Sequence, residues 1–126
     1  MNKIIQTGAV FGALAVGIGA FGAHGLADLL EASGRSDTFE TAVKYHFYHA
    51  IALVLLGIIA HQPYKQKWLR WSAYAFAAGI FIFSGSLYVL SLTGVTWLGA
   101  ITPIGGVAFI AGWIFMALAV VNKKLL

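Results

Sequence analysis

The chain has 126 residues, of which 60% are hydrophobic and only 10% are charged. A soluble domain carries about 25% charged residues, so this composition excludes an ordinary soluble globule. The absence of cysteine excludes disulfides, thiolate metal sites and a cysteine nucleophile. The net charge is +4, but the basic residues lie at the ends of apolar runs rather than along one face, which argues against a nucleic-acid partner.

Three long runs contain no charged residue: 4–27, 45–64 and 71–122. About 20 apolar residues cross the hydrocarbon core of a bilayer, so the first two runs hold one span each and the third holds two. The predicted spans cover about 4–23, 43–61, 69–92 and 102–121. No linker or internal repeat divides the chain, so the sequence predicts a single all-α domain over residues 1–126, a membrane bundle of four transmembrane helices.

Helix boundaries have local signals. After the first span, three leucines between 26 and 30 recur at helical spacing opposite Asp28 and Glu31. This pattern predicts a short interfacial helix in the first outer loop, ended by Gly34. Asp37 followed by Glu40 resembles a capping box and predicts a helix start near Thr38.

The last span also has a start signal. Thr102 before Pro103 predicts the N-cap and first residue of the fourth span.

The distribution of basic residues predicts the orientation. Six bases and no acid lie on the side that holds both termini: Lys3, Lys65, Lys67, Arg70, Lys123 and Lys124. Two bases, Arg35 and Lys44, share the other side with all four acids. By the positive-inside rule, both termini face the cytoplasm, and the expected location is the plasma (inner) membrane.

Glycines are concentrated inside the spans, where they lower helix propensity and so require compensation by packing. In the first and fourth spans they form stripes of small residues at spacings of three and four, which include Gly8, Gly12, Gly19, Gly22, Gly105 and Gly112. Such stripes allow close approach of helices in lipid. We expect them to pack spans within the chain, with a homo-oligomer interface as the alternative.

Three histidines form a candidate metal or haem site. His46 and His49 share one side of the second helix, near its outer end, and His24 ends the first span on the same side of the membrane. Imidazole is the commonest protein ligand for zinc, copper and haem iron. The alternative is structural, because histidines at span ends also hydrogen-bond backbone carbonyls.

Hydroxyl groups in the outer half of the bundle form a second candidate, an outer polar cluster of Tyr45, Ser84, Ser86, Tyr88 and Thr102. Hydroxyls in spans usually bond to a carbonyl or a neighbouring helix, but here they could also line a cavity with the histidines. No catalytic residue is predicted, since no base or acid is placed to activate a serine. The first span lacks the carboxylate that proton-coupled exporters use, which disfavours coupled transport.

Five segments together resemble one known family: residues 19–26, 45–50, 83–88, 98–106 and 112–113. Their order is similar to that of the domain-of-unknown-function 423 family, the YgdD-like small bacterial membrane proteins. The resemblance covers nearly the whole chain and implies a compact multi-span membrane protein, but supplies no reaction. The positions that match its motifs are His24, Tyr45, His46, His49, Ser84, Ser86, Tyr88, Thr102 and Pro103.

The sequence therefore favours a non-catalytic membrane protein that binds lipid or a protein partner, which includes a second copy of the chain. The first alternative is a redox subunit that binds haem, a metal or a quinone through the outer histidines. The second is a small channel or transporter. The cofactor, if one exists, is not identified by the sequence.

Overall fold

The computed structural model describes residues 2–121, which are almost entirely helical. The helices are α1 (Asn2–Ala23), α2 (Ala27–Ser33), α3 (Ser36–Ile59), α4 (Gln66–Gly79), α5 (Gly85–Thr93) and α6 (Thr102–Val120). A π-helical turn, Ile80–Ser84, joins α4 to α5, and a 3-10 segment, Thr96–Ala100, precedes α6. Four helical units are long and apolar enough to cross a membrane: α1, α3, α4 with α5, and α6 with its 3-10 segment. The predicted all-α bundle of four transmembrane helices is thus confirmed.

The short helix after the first span is also present as α2. Gly34 ends it in the left-handed conformation, with φ of 70°, and its N–H donates to the Glu31 carbonyl at 3.1 Å. The next N–H, from Arg35, donates to the Leu30 carbonyl at 2.9 Å. Only glycine adopts this backbone conformation readily, which explains why the helix ends here.

Two predicted helix caps are wrong. The third helix begins at Ser36 with Arg35 as N-cap and no side-chain cap, because the chain re-enters helical geometry directly after the turn at Gly34. The capping box from Asp37 therefore does not form. In α6 the N-cap is Ile101, and Thr102 is already helical, with its hydroxyl directed to other partners.

Hydrogen bonds and contacts between loops define the two ends of the bundle. The Lys65 N–H donates to the Ala119 carbonyl at 3.2 Å, which joins the α3–α4 loop to the end of α6. We call this the basic end; it also contains Lys3 and Arg70. At the other end, a Cβ on Gly94 would lie 3.4 Å from the Arg35 guanidinium. We call this the acidic end, because α2 and the first turns of α3 hold all four carboxylate side chains.

The bundle is built from two pairs of helices, α1 on α3 and α4 on α6. In the first pair, a Cβ on Gly8 would lie 2.8 Å from the Val54 nitrogen and 2.9 Å from the Ala50 carbonyl oxygen. In the second pair, a Cβ on Gly112 would lie 2.6 Å from the Phe76 ring. Each pair thus depends on glycine for its close approach.

The other glycines of the predicted stripes differ in how tightly they pack. A Cβ on Gly22 would collide with the Phe39 ring, and one on Gly105 would collide with the Phe83 backbone. A Cβ on Gly19 would lie 3.0 Å from Val43, whereas one on Gly12 would meet only the Ala50 methyl group at 3.9 Å. Gly12 is therefore not needed for close approach, although it shares the stripe.

The main apolar core lies between α3, α4 and α6, around Leu53, Leu56, Leu69, Phe76 and Phe109, each at most 4% exposed. Helix α1 lies outside this core and contributes Ile4 and Phe11 to its edge. The π-helical turn faces α3 and α6, and Gly105 packs against its backbone at Phe83. Nothing in the sequence Ile80–Ser84 indicates this turn.

The glycine contacts predict a graded effect of added methyl groups. We expect Gly105→Ala to lower the free energy of unfolding in detergent micelles by about 1–3 kcal/mol, because the obstacle is backbone that cannot rotate away. Gly17→Ala is the matched control, since a Cβ there meets nothing within 4 Å and alanine has the higher helix propensity. Equal stability of the two variants would contradict the observed packing.

Candidate functional site

His49 lies near the middle of α3 and is 5% exposed. Its Nδ1 lies 2.7 Å from the Tyr45 carbonyl oxygen, and Trp113 Nε1–H donates to its Nε2 at 3.1 Å. The carbonyl can only accept and the indole can only donate, so the imidazole is neutral with its proton on Nδ1. Both nitrogens are occupied, and no lone pair is left for a metal in this arrangement.

Aromatic rings enclose the same imidazole. The Phe109 ring is stacked on it with a centroid separation of 3.6 Å and an interplanar angle of 9°. The centroids of the Phe76 and Trp113 rings lie 5.5 and 5.9 Å from the centroid of the imidazole. The His49 ring on α3 thus packs against side chains of both α4 and α6.

His46 occupies a different environment, facing α1 and α5. It is 3% exposed, and its Nδ1 lies 2.8 Å from the Tyr88 hydroxyl. The Phe11 ring contacts the imidazole edge to face, with 6.0 Å between the ring centroids. The Phe11 main chain also lies near the imidazole, but it forms no hydrogen bond with His46 Nε2. His46 Nε2 is therefore a buried polar atom without a partner, whichever tautomer the ring adopts.

The third histidine, His24, is remote from the other two. It is exposed just beyond α1 at the acidic end, whereas His46 and His49 lie ~15 and ~20 Å along the axis of α3 from its start. Among residues 2–121, no three His, Asp or Glu side chains are placed to hold a metal ion together. The expected position of His46 and His49 near the outer end of the helix is corrected to its middle, because α3 runs from Ser36 to Ile59.

The hydroxyls of the expected outer polar cluster form separate links. Ser84 in the π-helical turn donates to the Ala42 carbonyl of α3 at 2.8 Å. The Ser86 and Thr102 hydroxyl oxygens lie 2.6 Å apart, and this hydrogen bond joins α5 to α6. The Ser86 hydroxyl oxygen also lies 3.0 Å from the Phe83 carbonyl oxygen. Each hydroxyl has one hydrogen to donate. Both groups are satisfied when Thr102 donates to the Ser86 hydroxyl and Ser86 donates to the Phe83 carbonyl.

Tyr45, the remaining member of this cluster, contributes its backbone carbonyl to His49. Tyr45 is 41% exposed, and its ring packs on the Phe83 ring with a centroid separation of 4.7 Å. The structure thus brings Tyr88 to His46 and Ser86 to Thr102, but it does not place all members around one point.

Sequence reasoning missed several partners in this region. Trp113 donates to His49, Phe109 stacks on it, and Ser72 of α4 donates to the Gly112 carbonyl of α6 at 2.7 Å. An indole N–H in the middle of a span needs an acceptor, so Trp113 was the one signal that could have indicated a polar partner. Ser72 and Phe109 have no comparable signal, because their pairing depends on how α4 and α6 are aligned.

The His46–Tyr88 pair predicts a measurable coupling. We expect Tyr88→Phe to lower the free energy of unfolding by about 1–3 kcal/mol, since it leaves a buried imidazole with no partner. Adding His46→Leu should recover part of that loss, because both polar groups are then removed. Tyr48→Phe, at a tyrosine that is 53% exposed, is the control. Equal losses at Tyr48 and Tyr88 would show that the hydrogen bond contributes nothing.

Comparisons with known proteins place the chain among membrane proteins. Residues 18–106 match the family model described as "Protein of unknown function (DUF423)". The UPF0382 membrane protein YwdK of Bacillus subtilis is 44% identical over 122 residues, which cover 97% of this chain and 98% of that protein. The UPF0382 membrane proteins SAB0533 of Staphylococcus aureus and its counterpart in Staphylococcus epidermidis are 44% and 45% identical over 119 residues, 94% of this chain and 95% of each relative. No solved structure matches the chain.

These matches agree with the resemblance seen in the motifs and with the four membrane-length helices. The chain is therefore a small α-helical membrane protein that belongs to the DUF423 family.

Proposed function

We propose that the chain is a non-catalytic protein of the plasma membrane that binds lipid along α1. The observation that carries the proposal is the position of its surface hollows. Four hollows of similar size, 410–470 Å³, all have residues of α1 in their walls. Because α1 packs on α3 through glycines, it leaves grooves beside it that lipid chains can enter.

The interior of the bundle supports a non-catalytic role. His49 has both nitrogens engaged, and Ser72, Ser84 and Ser86 each bind a carbonyl. None of the four hollows has His46 or His49 in its walls. Polar groups in a bilayer are costly unless paired, and these pairs account for their presence without a reaction.

Lipid content and the absorption spectrum of gently purified protein test this function. We expect phospholipid to remain bound after mild detergent extraction, detected by native mass spectrometry, and the visible spectrum to show no haem band. A haem band or stoichiometric metal that is lost in His46→Ala would overturn the proposal in favour of a redox subunit. A chain that retains no lipid while remaining folded would also overturn it.

The proposed orientation places both termini in the cytoplasm. Among residues 2–121, the basic end holds Lys3, Lys65, Lys67 and Arg70, whereas the acidic end holds two bases, Arg35 and Lys44. Lys123 and Lys124 lie outside the described residues. We expect a reporter fused after Leu126 to be cytoplasmic and one inserted between Ser33 and Gly34 to be external. The reverse pattern would contradict the proposed orientation.

A further inference from the structure

One of the four hollows has two cations in its walls and lies between α1 and α4 at the basic end. It has a volume of about 440 Å³, and Lys3 and Arg70 stand in its walls. Leu53 of α3, 1% exposed, lies at its floor between the two helices. We call this hollow the basic groove.

The groove follows from the pairing of the helices. Helix α1 approaches α3 at Gly8, and α4 approaches α6 through Gly79 and Gly112. These glycines thus lie in the α1–α3 and α4–α6 contacts and not between α1 and α4. Helices α1 and α4 therefore remain apart at this end. The space between them has Leu53 of α3 behind it and is open on the outer surface of the bundle.

The walls of the groove change from charged to apolar with depth. Lys3 is the second residue of α1 and Arg70 the fifth of α4, so both lie within ~6 Å of the helix ends along the axis. Tyr74 follows one turn deeper and is 69% exposed, and Ala73 and Ala77 line the apolar part. Cations at the headgroup level with tyrosine and small apolar residues below match an amphiphile that has a negative head.

Within residues 2–121, no carboxylate side chain lies within reach of Lys3 or Arg70. All four acidic residues lie in α2 and the first turns of α3, at the acidic end. The ion pair found in residues 2–121, Lys44 with Glu40 at 3.3 Å, is at that end as well. The positive charge of the groove is therefore available to an anion in the membrane.

We infer that the basic groove binds an anionic phospholipid, with its phosphate between Lys3 and Arg70 and an acyl chain along Ala73, Ala77 and Leu53. This inference rests on the proposed function and adds a site and a headgroup class to it. Phosphatidylcholine fits less well, because its quaternary ammonium group adds positive charge next to two cations. Basic pockets between transmembrane helices bind anionic headgroups in general.

Native mass spectrometry with added phosphatidylglycerol or phosphatidylcholine tests the inference. We expect the unmodified protein to bind phosphatidylglycerol about tenfold more tightly, and the double variant Lys3→Gln with Arg70→Gln to lose most of that preference. The matched control is Lys65→Gln with Lys67→Gln, which removes the same charge from the same end but outside the groove walls. The control should keep the preference.

A second variant tests the acyl-chain part without changing charge. Ala77→Leu narrows the groove and should weaken binding of both lipids, while the helical circular dichroism signal stays unchanged. Equal loss of preference in the two double variants would overturn the inference, since it would show that only the net charge matters. Lipid retained without any headgroup preference would also overturn it and leave the proposed function standing, whereas absence of any bound lipid would refute both.

Discussion

The close approach of helix backbones at a few glycines is the contact on which the rest of this structure depends. Lipid tails are as apolar as the helix surfaces, so the hydrophobic effect gives little drive for helices to associate inside a bilayer. Gly8 brings α1 against the backbone of α3, and Gly112 brings α6 against the Phe76 ring of α4. These contacts set the two pairs of helices, and the pairs determine where grooves remain.

Hydrogen bonds inside the bundle then fix how its helices align with one another. Ser72 joins α4 to α6, Ser84 joins the π-helical turn to α3, and His49 joins α3 to α6 through Trp113. Each bond satisfies a group that would be costly in hydrocarbon, so each favours one alignment over its neighbours. His46 Nε2 is the exception, a buried nitrogen without a partner.

The bundle is asymmetric in two respects that bear on function. Its acids are gathered at one end and four of the six bases in residues 2–121 at the other, and α1 lies outside the main core against α3. Together these two asymmetries produce a cationic groove beside a peripheral helix. In the interior, in contrast, His49, Tyr88 and the buried hydroxyls bind other side chains or backbone carbonyls.

The sequence by itself determined the all-α class, the four membrane-length helices and the short helix ended by Gly34, because hydrophobic run length and glycine conformation are local properties. It also indicated Tyr88, His46, Ser86 and Thr102 as polar groups that need partners. Only the tertiary structure decided which partners they have, since Tyr88 reaches His46 from 42 positions away and Ser86 reaches Thr102 from 16. It also separated His24 from the other histidines and opened the groove between Lys3 and Arg70, because distances between helices depend on which glycines meet and not on spacing along the chain.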